Sequence, residues 1–250
     1  MLLIGCVALT SDLEKAGLTI FSPQATKRPM NAAMNPFALI RRIIVAALTG
    51  TLPDEYRDDA VAILTQALSA PDEEIRAMAV IGLNEIGSNA PTILPAITGA
   101  THDSSDQVRR RAVRSLGDMG TAALPSLPHL IAALSDPTAC VRLEAMAALG
   151  RIGPEAELAI TELIPSLGHD DIRVRTVAGA TLKKIGPACV PYLLLALSDP
   201  DAILRERAAH LLGKMRCKTD DVIEALLELC SDFDYDVRRA ARGALELLEA

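Results

Sequence analysis

The sequence predicts an all-α protein, a right-handed α-solenoid (α-α superhelix) of about six helix pairs. Three observations carry this. Six arginines, Arg76, Arg109, Arg142, Arg175, Arg205 and Arg238, stand 33, 33, 33, 30 and 33 residues apart. Each opens the same apolar pattern, and four of the six copies close on a glycine 33 residues from the next, Gly87, Gly120, Gly153 and Gly186. A period of this size marks a helical unit that cannot bury its apolar face alone and stacks on its neighbours.

The first helix of the argument, called B here, follows from four columns. Before each arginine stands Ile75, Val108, Val141, Val174, Leu204 or Val237. Three residues after it comes alanine in every copy (Ala79, Ala112, Ala145, Ala178, Ala208, Ala241), and seven after it leucine (Leu83, Leu116, Leu149, Leu182, Leu212, Leu245). Ten after it stands Ile86, Met119, Ile152, Ile185, Met215 or Leu248. At about 100° per residue these columns share one stripe roughly 80° wide, the signature of an amphipathic helix. Alanine admits a close neighbour, and leucine one turn later fills the space between layers.

Glycine after the last apolar column predicts a left-handed C-cap, with Arg216 replacing it in the fifth copy. Prolines follow (Pro91, Pro95, Pro125, Pro128, Pro154, Pro187, Pro191), where a second helix, A, can begin without a backbone donor. Segments 127–134 and 192–197 supply that helix. Asp103, Asp136, Asp199 and Asp232 each precede an arginine by six residues and mark the connecting turn. Only 19 residues separate Gly186 from Arg205, where 22 separate Gly153 from Arg175. A shorter connection before helix A and a local change of twist are expected there.

The columns resemble HEAT repeats over residues 56–250. The run Asp136 to Gly153, reading Asp-Pro-x-x-x-Val-Arg-x-x-Ala-x-x-x-Leu-Gly-x-Ile-Gly, is similar to the bacterial phycobilin-lyase (PBS lyase) HEAT-like type. The resemblance implies an armadillo-type fold whose B helices line the concave face. It leaves function open, because such proteins include scaffolds, chromophore lyases, metal hydroxylases and DNA glycosylase-like enzymes.

Outside the repeats, residues 1–35 are expected to form an irregular tail and linker, and residues 36–55 a degenerate helical cap. The apolar start, Met1 to Thr10, is too short for a membrane span and lacks a basic leader region. Cys6 in Leu3-Ile4-Gly5-Cys6 comes too early for a lipoprotein signal. At the other end Leu247 and Leu248 leave an apolar last layer, to be covered by the N-terminal segment or by a second copy of the chain.

Half of the residues are hydrophobic and 23 % charged, an ordinary soluble composition, with aromatics at only 2 % and no Trp. A net charge of −7 disfavours non-specific attraction to nucleic acid or anionic membranes. The distribution is uneven, since 18 of 25 Lys and Arg lie in the B segments. Opposite the apolar stripe stand Arg110, Arg114, Arg151, Lys183, Lys184, His210, Lys214 and Arg239, flanked by Arg111, Arg207 and Arg242. These are the candidate partner-binding residues, and an acidic segment of a protein partner is the expected ligand. The six repeat arginines are read instead as a structural ladder beside the loop aspartates.

Chemistry finds little support. No Walker loop, G-x-S-x-G, H-E-x-x-H or G-x-G-x-x-G occurs, so no catalytic residue is assigned. The His-Glu pairs of iron-binding HEAT-type hydroxylases are absent, and His102-Asp103 and His169-Asp170 belong to repeats two units apart, so neither a metal nor another cofactor is expected. Five cysteines without a C-x-x-C pair are read as reduced, packed thiols in a cytoplasmic protein. The expected function is a non-enzymatic interaction scaffold. The alternatives are a phycobilin-lyase-like chromophore attachment factor and a weak nucleic-acid backbone binder.

Overall fold

The computed structural model describes residues 36–87 and 92–249. The tail 1–35, with Cys6, and Pro91 lie outside the described residues. The chain packs as two compact units, divided between Ser115 and Leu116. Among the described residues every regular element is helical.

In the first unit α1 (Pro36–Leu48) precedes α2 (Arg57–Ala67), α3 (Glu73–Ile86), α4 (Ile93–Ala100) and α5 (Asp106–Asp118), the last running past the boundary. Leu39, Ile40, Ile43 and Ile44 recur at helical spacing on α1 and are buried. They pack on α3, where a Cβ added to Gly82 would lie 3.0 Å from Ile44 Cγ1. Asp72 starts α3 by accepting a hydrogen bond from the Glu74 amide, and Glu73 and Glu74 complement the helix dipole in its first turn.

The second unit continues with α6 (Leu127–Ala132), α7 (Ala139–Ile152), α8 (Ile160–Leu163), α9 (Ile172–Ile185), α10 (Val190–Ala196), α11 (Ala202–Met215), α12 (Asp220–Leu229) and α13 (Tyr235–Glu249). The B helices are therefore α3, α5, α7, α9, α11 and α13, each following an A helix, which makes the chain an α-solenoid of about twelve helices. The six column alanines have no exposed surface, nor do the first five column leucines. Leu245, in the last helix, is half-buried.

Stacking depends on a further column. Eight residues after the arginine, Gly117, Gly150 and Gly213 face the residue at +6 of the next repeat. A Cβ would lie 2.7 Å from Ala148 Cα at Gly117, 3.2 Å from Thr181 Oγ1 at Gly150, and 2.6 Å from Ala244 Cα at Gly213. Thr181 keeps the wider spacing and donates its hydroxyl to Met146 O at 2.8 Å.

Two local expectations need correction. Three of the closing glycines are not in the left-handed helical region: Gly87, Gly153 and Gly186 have φ/ψ of 95/157, 83/−138 and 92/−151. Only glycine enters the positive-φ, extended region they occupy without strain. Arg216 sits in the true left-handed well, φ 54 and ψ 38, which explains how the fifth copy dispenses with glycine. The prolines do not simply open A helices either. Gly120–Ser126, Gly153–Ala159 and Ile164–Gly168 are 3-10 turns holding Pro125, Pro154 and Pro165, and the last two reduce α8 to four residues. The shortened unit keeps only Pro187–Cys189 before α10, three residues where the two preceding units have seven.

Candidate interaction surface

All six repeat arginines do the same thing in their own loops. Each donates from Nη1 to the carbonyls six and five residues before it: Arg76 to Ala70 and Pro71, Arg109 to Asp103 and Ser104, Arg142 to Asp136 and Pro137, Arg175 to His169 and Asp170, Arg205 to Asp199 and Pro200, Arg238 to Asp232 and Phe233. The distances run from 2.7 to 3.2 Å. The loop carbonyls freed by the turn thus find a guanidinium donor.

For Arg76 and Arg205 the same guanidinium reaches the next repeat. Arg76 holds Asp103 through Nε at 2.7 Å and Nη2 at 2.8 Å, and Arg205 holds Asp232 through both at 2.9 Å. Each aspartate also accepts a local amide, Ser105 N on Asp103 and Asp234 N on Asp232, both at 2.8 Å. The guanidinium hydrogen bonds hold both carboxyls below their usual range, and the aspartates raise the arginines in return. At the corresponding place before Arg175 stands His169, whose Nδ1 accepts the Asp171 amide at 2.9 Å instead.

The candidate cations divide into three kinds. Arg110, Arg114, Lys183, Lys184, His210, Lys214, Arg239 and Arg242 are exposed, whereas Arg111 and Arg207 are half-buried, with Nε atoms that find no hydrogen-bond partner among the described residues. Arg151 is exposed but engaged: Nε lies 3.2 Å from Asp118 and Nη2 2.9 Å from Glu144. Arg239 pairs with Asp236 at 2.9 Å. Lys183 and Lys184 in the last turn of α9, and Lys214 in that of α11, have no ion pair among the described residues. Desolvation first, then Lys214 and Arg207, hold His210 below its usual pKa. The acid partners of Arg151 were missed in the sequence. Their signal is spacing: Asp118 stands one period before Arg151 in the same column, and Glu144 seven residues before it on the same helix.

Among the described residues no three His, Cys, Asp or Glu side chains converge as metal ligands, and no helix is long and apolar enough to cross a membrane. Cys140, Cys189, Cys217 and Cys230 are free thiols. Cys189 is fully buried, takes the place that Ala123 and Ala156 hold in the two preceding repeats, and lies 3.7 Å from Met215 Sδ. Burial pushes its thiol up to about 11.

The family model described as HEAT repeats matches residues 93–183 and 160–246, together more than half of the chain. Among solved structures, an engineered protein is 21 % identical, with 98 % of this chain and 71 % of that chain covered and a TM-score of 0.53. An archaeal HEAT-like repeats protein from Thermococcus onnurineus is 17 % identical over 88 % of this chain and 98 % of that one, with a TM-score of 0.49. A designed armadillo repeat protein is 20 % identical over 74 % and 98 %, with a TM-score of 0.46. No curated protein matches the chain.

Proposed function

From the premise that this chain belongs to the HEAT-repeat family, we propose that it is a non-enzymatic scaffold whose B-helix solvent face binds an acidic segment of a partner protein in the cytoplasm. HEAT-type repeats generally serve as protein-interaction scaffolds. The observation that supports the acidic partner is the set of lysines with no ion pair among the described residues, Lys183, Lys184 and Lys214, on a unit whose A helices carry no Lys or Arg. A purely solvating face would mix the two signs. Arg110 and Arg242 extend the same chemistry on their own helices, while Arg151 and Arg239 spend much of their charge on Asp118, Glu144 and Asp236. The binding mode is many weak charge contacts on a preformed surface, with fast association and strong salt dependence.

The test is fluorescence anisotropy with a labelled Glu-rich peptide, at low salt and at about 0.5 M salt, where the Debye length is only a few Å. Wild type should bind at low salt and release at high salt. The Lys183→Glu/Lys184→Glu/Lys214→Glu variant should bind about tenfold more weakly or worse. Affinity that ignores both salt and the triple change removes the proposal. The phycobilin-lyase-like signature of Asp136–Gly153 adds one control, because a visible absorption band on mixing with a free bilin would redirect the reading to chromophore handling.

A further inference from the structure

Three consecutive loops of the second unit hold large apolar side chains in open solvent. Ile172 is 62 % exposed, Ile203 39 %, Phe233 103 % and Tyr235 66 %. They stand just before or within the first turn of α9, α11 and α13, five to two residues ahead of the repeat arginine. Three and two residues ahead of the arginine, where Ile172, Tyr235 and Ile203 stand, α3 has Glu73 and Glu74 and α5 has Asp106 and Gln107, polar or acidic as a helix N-terminus favours, while α7 has the small Ala139 and Cys140. Nothing in the repeat architecture calls for the exchange, and each exposed side chain forgoes roughly 25 cal/mol per Å² of apolar surface left in water.

The loops adjoin one another. A Cβ on Gly168 would meet Asp201 Oδ2 at 2.5 Å and Leu204 Cβ at 3.3 Å, which sets the loop before α9 against the one before α11. The Arg205 guanidinium on Asp232 ties the latter to the loop before α13. The loops therefore bring these apolar side chains to one edge of the unit rather than to scattered points, and clustered exposed apolar surface marks an interaction site. Tyr235 is braced, with the guanidiniums of Arg238 and Arg239 at 5.7 and 5.9 Å from its ring centroid.

This edge is flanked by carboxylates. Residues 170–173, 199–205 and 232–239 include Asp170, Asp171, Asp199, Asp201, Asp232, Asp234 and Asp236. The guanidiniums of Arg175, Arg205 and Arg238 are turned into the loop carbonyls, and Arg173 and Arg239 are paired to Asp171 and Asp236. Exposed Asp170 and Asp201 stay without a cation among the described residues. This edge has the opposite sign to the lysine face and shares no residue with it.

Spacing specifies the ligand further. Packed helices lie about 8–10 Å apart, so successive loops offer their apolar side chains at steps of roughly that size. A polyproline II segment rises about 3.1 Å per residue with three residues per turn, which presents every third side chain on one face at about 9 Å intervals. We propose that the set Ile172, Ile203, Phe233 and Tyr235 is a docking edge for an extended, cationic segment of a partner protein carrying an aliphatic or prolyl side chain at every third position. The aliphatic side chains seat between the exposed residues of successive loops, and the intervening Lys or Arg face the aspartates.

The probe is a fluorescein-labelled (Leu-Pro-Lys)4 peptide, compared by anisotropy with a peptide of the same composition whose Leu, Pro and Lys are permuted out of the three-residue period. Wild type should bind the periodic peptide at least about tenfold more tightly. Ile203→Ser/Phe233→Ser/Tyr235→Ser should abolish that preference, and Asp170→Lys, a single exposed change, should weaken binding at low salt. Lys183→Glu/Lys184→Glu/Lys214→Glu should not weaken it, which keeps this edge separate from the acidic-peptide face. Equal affinity for the two peptides overturns the proposal, as does undiminished binding by the triple serine variant with a wild-type melting profile.

Discussion

Replacing Gly213 by alanine tests whether the helices really stack as closely as the repeat demands. In an isolated helix this change stabilises by about 0.5–1 kcal/mol, because alanine loses less backbone entropy than glycine. Here the new methyl group would lie 2.6 Å from Ala244 Cα, 2.8 Å from its Cβ and 3.3 Å from its carbonyl oxygen. Carbon atoms rest at about 3.5–4.0 Å, so α11 and α13 must separate by roughly 1 Å along their contact. The obstacle is backbone on the facing helix, which no rotamer change can relieve. Overpacking of this kind costs about 1–3 kcal/mol and outweighs the propensity gain. Gly243, inside α13, is the control, since a Cβ there meets nothing within 4 Å and the same substitution should stabilise by about 0.5–1 kcal/mol. Gly117→Ala should resemble Gly213→Ala, whereas Gly150→Ala should cost less, because its nearest obstacle is the Thr181 hydroxyl at 3.2 Å. Urea unfolding followed by circular dichroism reads these as midpoint shifts, and with a slope near 3 kcal/mol/M they amount to about 0.3–1 M. A Gly213→Ala midpoint at or above that of wild type, or Gly213→Ala and Gly243→Ala moving in the same direction, would refute the stacking geometry.

The inter-repeat clip gives a second expectation: Asp232→Ala strands the Arg205 guanidinium, only 14 % exposed, and should lower stability by about 2–3 kcal/mol in the same urea assay. Acid acts on the same contact. The folded pKa values of Asp103 and Asp232 lie below the unfolded carboxylate value of about 3.9, so their contribution is present above that pH and is lost as pH falls through the lower, folded values. Urea midpoints measured below about pH 4 should drop more steeply for wild type than for Asp232→Asn, and parallel curves would contradict this. Arg216→Gly should raise the melting temperature, by about 0.5–1 kcal/mol in stability, because it relieves a side chain held at φ 54. Finally, Cys189, buried and with its thiol raised to about 11, should be the last of the four described cysteines to react with iodoacetamide under native conditions, as peptide mass spectrometry would show.

The repeat was legible because every B helix faces the same neighbours, so the alanine at +3 and the leucine at +7 recur wherever one helix lies on the next. The arginine column and the aspartates six residues before it suggest a ladder of guanidiniums and carboxylates, whereas the partners that all six arginines share are the loop carbonyls, which only the backbone path reveals. The closing glycines misled for a related reason: sequence reports that glycine is needed, not which of its permitted regions the chain enters. Charge was read face by face, and that is where the interaction surface was least legible. Stacked repeats place the same column of neighbouring units side by side, as Asp118 and Arg151, one period apart, meet at 3.2 Å. The column at +9 in the second unit runs Asp118, Arg151, Lys184 and Lys214, so the first cation is spent on the carboxylate before it, and the lysines beyond have no such partner. The loop positions ahead of the arginine change character in those later repeats too, from polar or acidic in α3 and α5 to Ile172, Ile203 and Tyr235. Columns that hold constant describe the scaffold. Columns that change along the stack underlie the two binding surfaces proposed above, and both lie on the repeats that flank the shortened turn at Pro187–Cys189.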